Sequence, residues 1–249
     1  MSLPGKMVLK ARIFLQRRAE LRVFKTEFRQ FSKASDGRFE LNWKEAVPYL
    51  GDKTTYTGFD AHYIYHPAWA ARVVKKINPA FHIDISSTLH FCTQLSAFIP
   101  VRFYDYRPAM LELDNLTSEK ADLTNLFLES NSVESLSCMH TVEHIGLGRY
   151  GDPIDPSADL KAINELKRVV KPGGSLLFVV PVGKARIIFN GHRIYNARSV
   201  ENAFSGFKLE DFSLVTDDAR FSQGADLKEA DRQKYGCGCF WFKKIDENV

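Results

Sequence analysis

The chain has 249 residues, 45% of them hydrophobic and 26% charged, a composition that suits a globular protein with a sizeable core. The longest apolar run, Leu176 to Val182, is too short to span a bilayer, and the four cysteines are too few and too scattered for a disulfide framework. The net charge of +4 is unevenly spread: Lys6 to Lys33 carries nine Lys/Arg against two Glu, a net of +7, so the remainder sums to −3 and no extended nucleic-acid surface is expected.

Residues 8–34 read as a helix, with Phe14, Leu21, Phe24, Phe28 and Phe31 recurring at steps of seven, three, four and three among Arg17, Arg18, Arg22, Lys25 and Arg29. Its aromatic face either caps the domain or a second copy in a homodimer, or lies as a basic amphipathic helix on an anionic membrane. Phenylalanine at helical spacing is more often core, which favours the first. A polar, turn-rich connector runs from Ser35 to Gly58, and a second helix is expected over Pro67 to Ile77, ending at Asn78-Pro79. The rings of His62, Tyr63, Tyr65, His66 and Trp69 precede it and suit either a pocket wall or aromatic packing under a lid.

Phe81 to Asp105 reads strand, tight turn, helix, strand. Phe81 to Ile85 is short and mostly apolar, Ser86-Ser87-Thr88 turns the chain and offers a hydroxyl cap, Leu89 to Phe98 is helical, and Val101 to Tyr104 is a second strand ending in Asp105. Such a βαβ crossover binds nucleotides beyond the carboxyl ends of its strands, and Asp105, 21 positions after Asp84, is placed to accept ribose hydroxyls. The alternative is an ordinary βαβ unit whose Asp105 caps a loop.

Further along, Lys120 to Leu123 reads as a short strand ending at an acid, Thr124 to Phe127 as a helical turn, and Val133 to Cys138 as a strand with Met139-His140 at its carboxyl end. Ser157 to Val170 is an amphipathic helix with Ser157 as its cap, stopped by Lys171-Pro-Gly-Gly174 before the apolar strand Ser175 to Val180. Phe207 to Val215 and Gly238 to Lys243 supply two closing strands. Cys237-Gly-Cys239 offers a metal or redox pair, but it runs into the strand-like Cys239 to Phe242, and core packing is the favoured role. The pattern describes a Rossmann-like, doubly wound α/β sheet of seven strands, mostly parallel with an antiparallel last strand, plus an N-terminal helical extension. The expected division is 1–78 for helix and connector and 79–249 for the sheet domain.

Over roughly Phe81 to Lys243 the chain resembles the class I S-adenosylmethionine-dependent methyltransferases. Leu166-Lys-Arg-Val-Val-Lys-Pro-Gly-Gly-Ser-Leu-Leu177 is similar to that family's helix, turn and fifth strand, and Val133 to Glu143-His144 to its fourth strand and the Glu-His that often follows. Gly148 to Pro156 and Phe189 to Tyr195 look like a little-characterised branch of unknown function. The resemblance implies a cytoplasmic enzyme that binds S-adenosylmethionine through Asp84, Ser86 and Ser87 in the first turn, Asp105 and Tyr106 at the ribose, Asp122 and Leu123 at the adenine, and Met139 near the methionine portion. One departure stands out: Ile85-Ser-Ser-Thr88 replaces the family's glycine-rich turn, where glycine allows positive φ and close approach to the ligand. That favours an alternative in which the domain has lost catalysis and serves as a scaffold, while the retained Asp105 and Asp122 argue against it. A nicotinamide dehydrogenase would want G-x-G-x-x-G there.

The acceptor side draws on His140, Glu143 and His144, with Arg149, Tyr150 and Asp152 in the loop beyond them, and Asn190, His192 and Tyr195 on the opposite wall. This inventory of imidazole, carboxylate, guanidinium and phenol suits a small polar, hydroxyl-bearing acceptor such as a sugar, with His140 or His144 as general base. His140-Thr-Val-Glu-His144 also matches H-x-x-E-H, but it follows directly on a strand and runs into Gly146 and Gly148 rather than along a helix, so no metal is assigned there.

Overall fold

The computed structural model describes residues 3–246 and divides into two compact units after Gly58. In the first, helix α1 (Leu3–Ala34) is followed by a 3₁₀ turn at Trp43–Glu45 that Asn42 opens by accepting from the Lys44 N–H. The Trp43 ring packs on Phe28 and Phe24 with centroids 4.8 and 5.8 Å apart, while Phe14 and Phe31 of the same stripe stay exposed. No helix among the described residues is long and apolar enough to cross a membrane.

In the second unit, α2 (Ala61–Ile77) starts upstream of Pro67. Asp60 caps it by accepting from the Tyr63 N–H at 3.2 Å, and Pro67 removes only its own N–H from the ladder. His62 to His66 are therefore helical. The helix buries Trp69 and Val74 in a cluster with Phe91, Val101, Phe103 and Leu177, and the second compact unit begins at Phe59. Then come β1 (His82–Ile85), α3 (Leu89–Leu95), β2 (Val101–Asp105), β3 (Leu116–Lys120), β4 (Val133–Met139), α4 (Ala158–Val169) and β5 (Val170–Val182). A hairpin of β6 (Arg186–Ile188) and β7 (His192–Ile194) stands apart from the main sheet, which α5 (Ala197–Ala203), β8 (Phe207–Val215), β9 (Phe221–Ser222), α6 (Leu227–Ala230) and β10 (Gly236–Lys244) complete.

The main sheet runs β3-β2-β1-β4-β5-β10-β8-β9. The pairs from β3 through β5 are parallel, and β10 lies antiparallel to both β5 and β8. This is the expected doubly wound sheet with an antiparallel closing strand, lengthened by the two-residue edge strand β9. Its strand order reverses between β1 and β4, so a crevice opens beyond their carboxyl ends. The unbroken apolar run of β5 has a direct cause. Leu176, Phe178 and Val180 face one core with Leu166, Phe204 and Phe240, and Leu177 and Val179 face the other with Trp69 and Phe91.

Three local expectations are corrected. The third strand ends at Lys120, and Asp122 stands two residues beyond it. Thr124 to Phe127 is not helical: the chain turns over Leu123–Asn125, where Asp122 Oδ1 accepts from both the Thr124 N–H and its hydroxyl at 2.8 and 2.7 Å. Ser157 does not cap α4; its hydroxyl donates to Asp155 at 2.7 Å instead.

The Pro-Gly-Gly turn is packed tightly where α4 feeds β5. A Cβ on Gly174 would lie 2.8 Å from the Lys171 carbonyl oxygen and 2.9 Å from that of Val133, both of them backbone atoms. Gly174→Ala is expected to destabilise the protein by about 1–3 kcal/mol through this overpacking. Thermal unfolding checks it, and an unchanged Tm would mean the turn yields.

Candidate functional site

The carboxyl ends of β1 and β4 are laced together by buried polar groups. The Asp84 carboxylate, fully buried, accepts from the Ser87 N–H at 3.0 Å and from the Ser137 hydroxyl. His82 bridges Ser135 and Ser137, each at 2.8 Å. The Met139 N–H donates to Ser87 Oγ at 3.0 Å, and the Thr141 hydroxyl donates to the Ser86 carbonyl at 2.9 Å. Between these bonds the backbone turns left-handed twice, at Ser86 (φ 57°) and at His140 (φ 56°). Strain of this kind persists only where the surroundings over-determine it, and it concentrates at functional sites.

Two neighbouring cavities open at this crossing. The first, about 430 Å³, is lined by Ser86, Asp105, Tyr106, Asp122, Leu123, Thr141 and the loop residues Tyr150, Asp152 and Asp155, among others. The second, about 450 Å³ and more polar, is lined by Tyr63, Ser87, Met139, Glu143, Arg149, His192 and Tyr235. Ser86, His140, His144 and Tyr150 line both. Asp105 spends one carboxylate oxygen on the Arg107 N–H at 2.7 Å, as Asp122 does on Thr124, so each acid is held still at the first cavity's wall. Tyr150 stands between the guanidiniums of Arg107 and Arg149, at 4.5 and 5.1 Å from its ring centre.

Around the second cavity the imidazoles are kept neutral. Burial lowers His140 to about 4 and raises Glu143 to about 7, so their 2.8 Å contact is a neutral imidazole Nδ1–H donating to Oε1. His140 Nε2 then faces the Cys237 thiol at 3.4 Å. His144 Nδ1 lies 2.7 Å from the Gly191 carbonyl, and the Arg149 guanidinium lies 3.2 Å from that nitrogen while donating to the same carbonyl at 3.3 Å; with Arg149 spent on the carbonyl, Nδ1–H donates to Gly191 and Nε2, 3.8 Å from Glu143 Oε1, is the basic nitrogen. Burial holds His144 below the usual imidazole range.

Several expected site residues lie elsewhere. Asp84 is enclosed beneath the first turn and lines neither cavity; its carboxylate braces the turn. Ser87 and Met139 line the polar cavity only. Asp152 lines the first cavity rather than the acceptor wall, and its carboxylate gathers the Gly146 and Tyr150 N–H groups. Asn190 turns the β6–β7 hairpin at φ 59° and donates to the Leu147 carbonyl. Tyr195 is half-buried, with its hydroxyl donating to Asp159 at 3.1 Å. In the other direction, Tyr63 from α2 and Tyr235 from just before β10 wall the polar cavity. The ring cluster before Pro67 signalled the first, and nothing near Tyr235 in the sequence signalled the second.

A family model described as Caenorhabditis protein of unknown function, DUF268, matches residues 114–241, just over half the chain. The chain belongs to that family. The DUF268 segment takes in β3, β4, the loop after it, the hairpin and Cys237, and leaves β1 and Asp105 outside. Among curated proteins no match is found. Among solved structures, the YcgJ protein of Bacillus subtilis is similar with a TM-score of 0.51 at 13% identity, covering 73% of this chain and all of that one. Phosphoethanolamine N-methyltransferase 2 of Haemonchus contortus, in complex with S-adenosyl-L-methionine, is similar with a TM-score of 0.50 at 16% identity, covering 72% of this chain and 53% of that one. The fold of this DUF268 member is thus that of the class I S-adenosylmethionine-dependent methyltransferases.

The buried histidines set the acid response of the protein. Burial lowers His62 and His140 to about 4 and His66 and His82 to about 3, from an ordinary 6.5. Below 6.5 the unfolded chain therefore binds protons that the folded one refuses, and this stability, present at neutral pH, is lost as the pH falls. Asp84 and Glu143, raised by burial to about 6 and about 7, act in the opposite sense, since their folded forms keep protons that the unfolded chain releases. Four histidines against two carboxyls leave net uptake on unfolding near pH 5. The Tm is expected to drop steadily from pH 6.5 towards about 4.5, with net proton uptake on unfolding by calorimetry in two buffers; a flat profile would show that the histidines are hydrated.

Proposed function

We propose that the protein is an S-adenosylmethionine-dependent methyltransferase acting on a small polar, hydroxyl-bearing acceptor. The observation that supports it best is the pair of cavities at the strand crossover, joined along Ser86, His140, His144 and Tyr150. The first cavity's donor set fits the cofactor. Asp105 at the end of β2 is positioned for the ribose hydroxyls, Asp122 and Leu123 for the adenine edge, and Ser86 presents backbone in the left-handed conformation a glycine turn would supply. The bound cofactor would supply an electrophilic methyl carbon.

The remaining chemistry falls to this chain's residues. The polar cavity, walled by Tyr63, Tyr235, Arg149 and His192, would bind and orient a hydroxyl compound, and alignment is most of what methyl transfer requires. His144 is the better base of the two candidates. Its Nδ1–H is fixed on the Gly191 carbonyl and its Nε2 stays free, whereas both His140 nitrogens are engaged, by Glu143 and by Cys237.

S-adenosylhomocysteine is expected to bind the intact protein, and Asp105→Ala to weaken it about 10–150-fold, the equivalent of about 1.5–3 kcal/mol for hydrogen bonds to a charged group. Isothermal titration calorimetry checks both; absence of binding would favour a scaffold role instead. On an acceptor found by screening hydroxyl compounds, His144→Ala should lower turnover about 10²–10⁴-fold and leave S-adenosylhomocysteine affinity nearly intact. Full turnover in that variant would remove the base assignment.

A further inference from the structure

We propose that His62, His140 and Cys237 form a binding site for a divalent ion of the zinc class, with Glu143 positioning His140 from behind. These three residues come from separate elements, α2, the end of β4 and β10, and their ligand atoms all lie within 4.8 Å of one another. Two imidazoles and a thiolate are a donor set suited to zinc, and three protein ligands leave a fourth position open to water.

The geometry around His140 is the strongest sign. Its Nδ1–H donates to Glu143 Oε1 at 2.8 Å, which directs the lone pair of Nε2 towards Cys237 Sγ at 3.4 Å. A carboxylate behind a ligating imidazole is the usual outer support of a metal site. An ion bound tetrahedrally at about 2.0 Å from nitrogen and about 2.3 Å from sulfur sets those atoms about 3.5 Å apart, close to the spacing found. His62 completes the group from a half-buried place on α2, its ring 5.5 Å from that of His140 and 5.1 Å from that of Tyr235. Two further polar atoms are buried beside it without a partner, Glu143 Oε2 and His66 Nε2, and the His66 ring lies 5.0 Å from His140.

The H-x-x-E-H pattern of the sequence is therefore misleading in one half. His140 belongs to the group, but His144 has its Nδ1 on the Gly191 carbonyl and lies outside it. The proposal does not rest on methyl transfer, because the ion is measured directly.

The intact 249-residue chain is analysed for metal by mass spectrometry as purified, then treated with chelator and titrated with Zn²⁺ and Co²⁺. About one zinc per chain is expected, and the cobalt form should show a sulfur-to-metal charge-transfer absorption. Cys237→Ser should abolish that absorption. His62→Ala, at a position open enough to keep the core intact, should lower cobalt affinity at least 10-fold without changing the far-ultraviolet circular dichroism. Glu143→Gln should keep the site and weaken it about 10–100-fold, and Cys92→Ser on α3 should bind as the unaltered protein does. Folded, chelator-treated protein that takes up neither ion would overturn the proposal, as would a cobalt spectrum indifferent to His62→Ala.

Discussion

The Asp84 carboxylate is the group on which the rest of the site depends. A carboxylate taken fully out of water is costly unless its oxygens are satisfied, and here the Ser87 N–H and the Ser137 hydroxyl satisfy them from two different strand ends. The bond to Ser87 closes the turn after β1, and the bond to Ser137 ties that turn to β4. His82 extends the chain by accepting from or donating to Ser135 and Ser137, so no polar atom in the stack of serines is left to water. With β1 and β4 fixed in this way, the left-handed turns at Ser86 and His140 have nowhere to relax. Both cavities open from those two residues, so a charge buried beneath the sheet crossing sets the shape of a surface that it does not touch.

The same reasoning explains which features could be read from the sequence. The double-sided apolarity of β5 and the Pro-Gly-Gly turn are local signals, and they reported the fold because a strand buried on both faces needs no knowledge of its neighbours. Asp105 was legible for a similar reason, since it ends a short strand at a fixed distance from the preceding one. The bracing role of Asp84 was not legible because the sequence cannot show that Ser137, 53 residues later, claims its second oxygen. Two serines looked hostile to a backbone that must go left-handed, but Ser86 takes that conformation, fastened by its N–H to the Tyr104 carbonyl and by its own carbonyl to Thr141. Tyr235 was illegible because it reaches the site from just before the last antiparallel strand, and Cys237, weighed as half of a metal or redox pair but given to core packing, meets His140 by a contact of almost a hundred residues in sequence.

The hairpin after β5 shows how the outer wall is kept rigid while meeting the main sheet through a single bridge, in which the Tyr195 backbone bonds to Pro181 and Gly183 at the end of β5. Arg193 is buried, and its guanidinium donates to the Ile145 and Pro156 carbonyls at 2.6 and 3.4 Å and pairs with Asp159 at 3.5 Å. One side chain thus fastens the hairpin to the loop after β4 and to the start of α4. Tyr195 repeats the anchor at Asp159, which is why neither residue is free for the cavity. Gly146 lies under the same loop with φ 78°, and a Cβ there would sit 2.1 Å from the Asp155 carbonyl oxygen, so the loop closes against bare backbone. His192, next to Arg193, is carried to the polar cavity by the hairpin's register, with its ring against those of Tyr235 and His144.

Glu143 divides the two histidines into different roles. It lies 2.8 Å from His140 and 3.8 Å from His144, so it bonds to the first and biases the second only through its charge. His140 is consequently fixed as a donor at Nδ1 and looks inward to Cys237. His144, fastened instead to the Gly191 carbonyl, keeps its Nε2 free at a point where both cavities meet. Tautomer follows from which oxygen each Nδ1 finds, and function follows from tautomer. Two histidines four positions apart, indistinguishable as letters, therefore acquire separate chemistry from one buried carboxylate and one hairpin carbonyl.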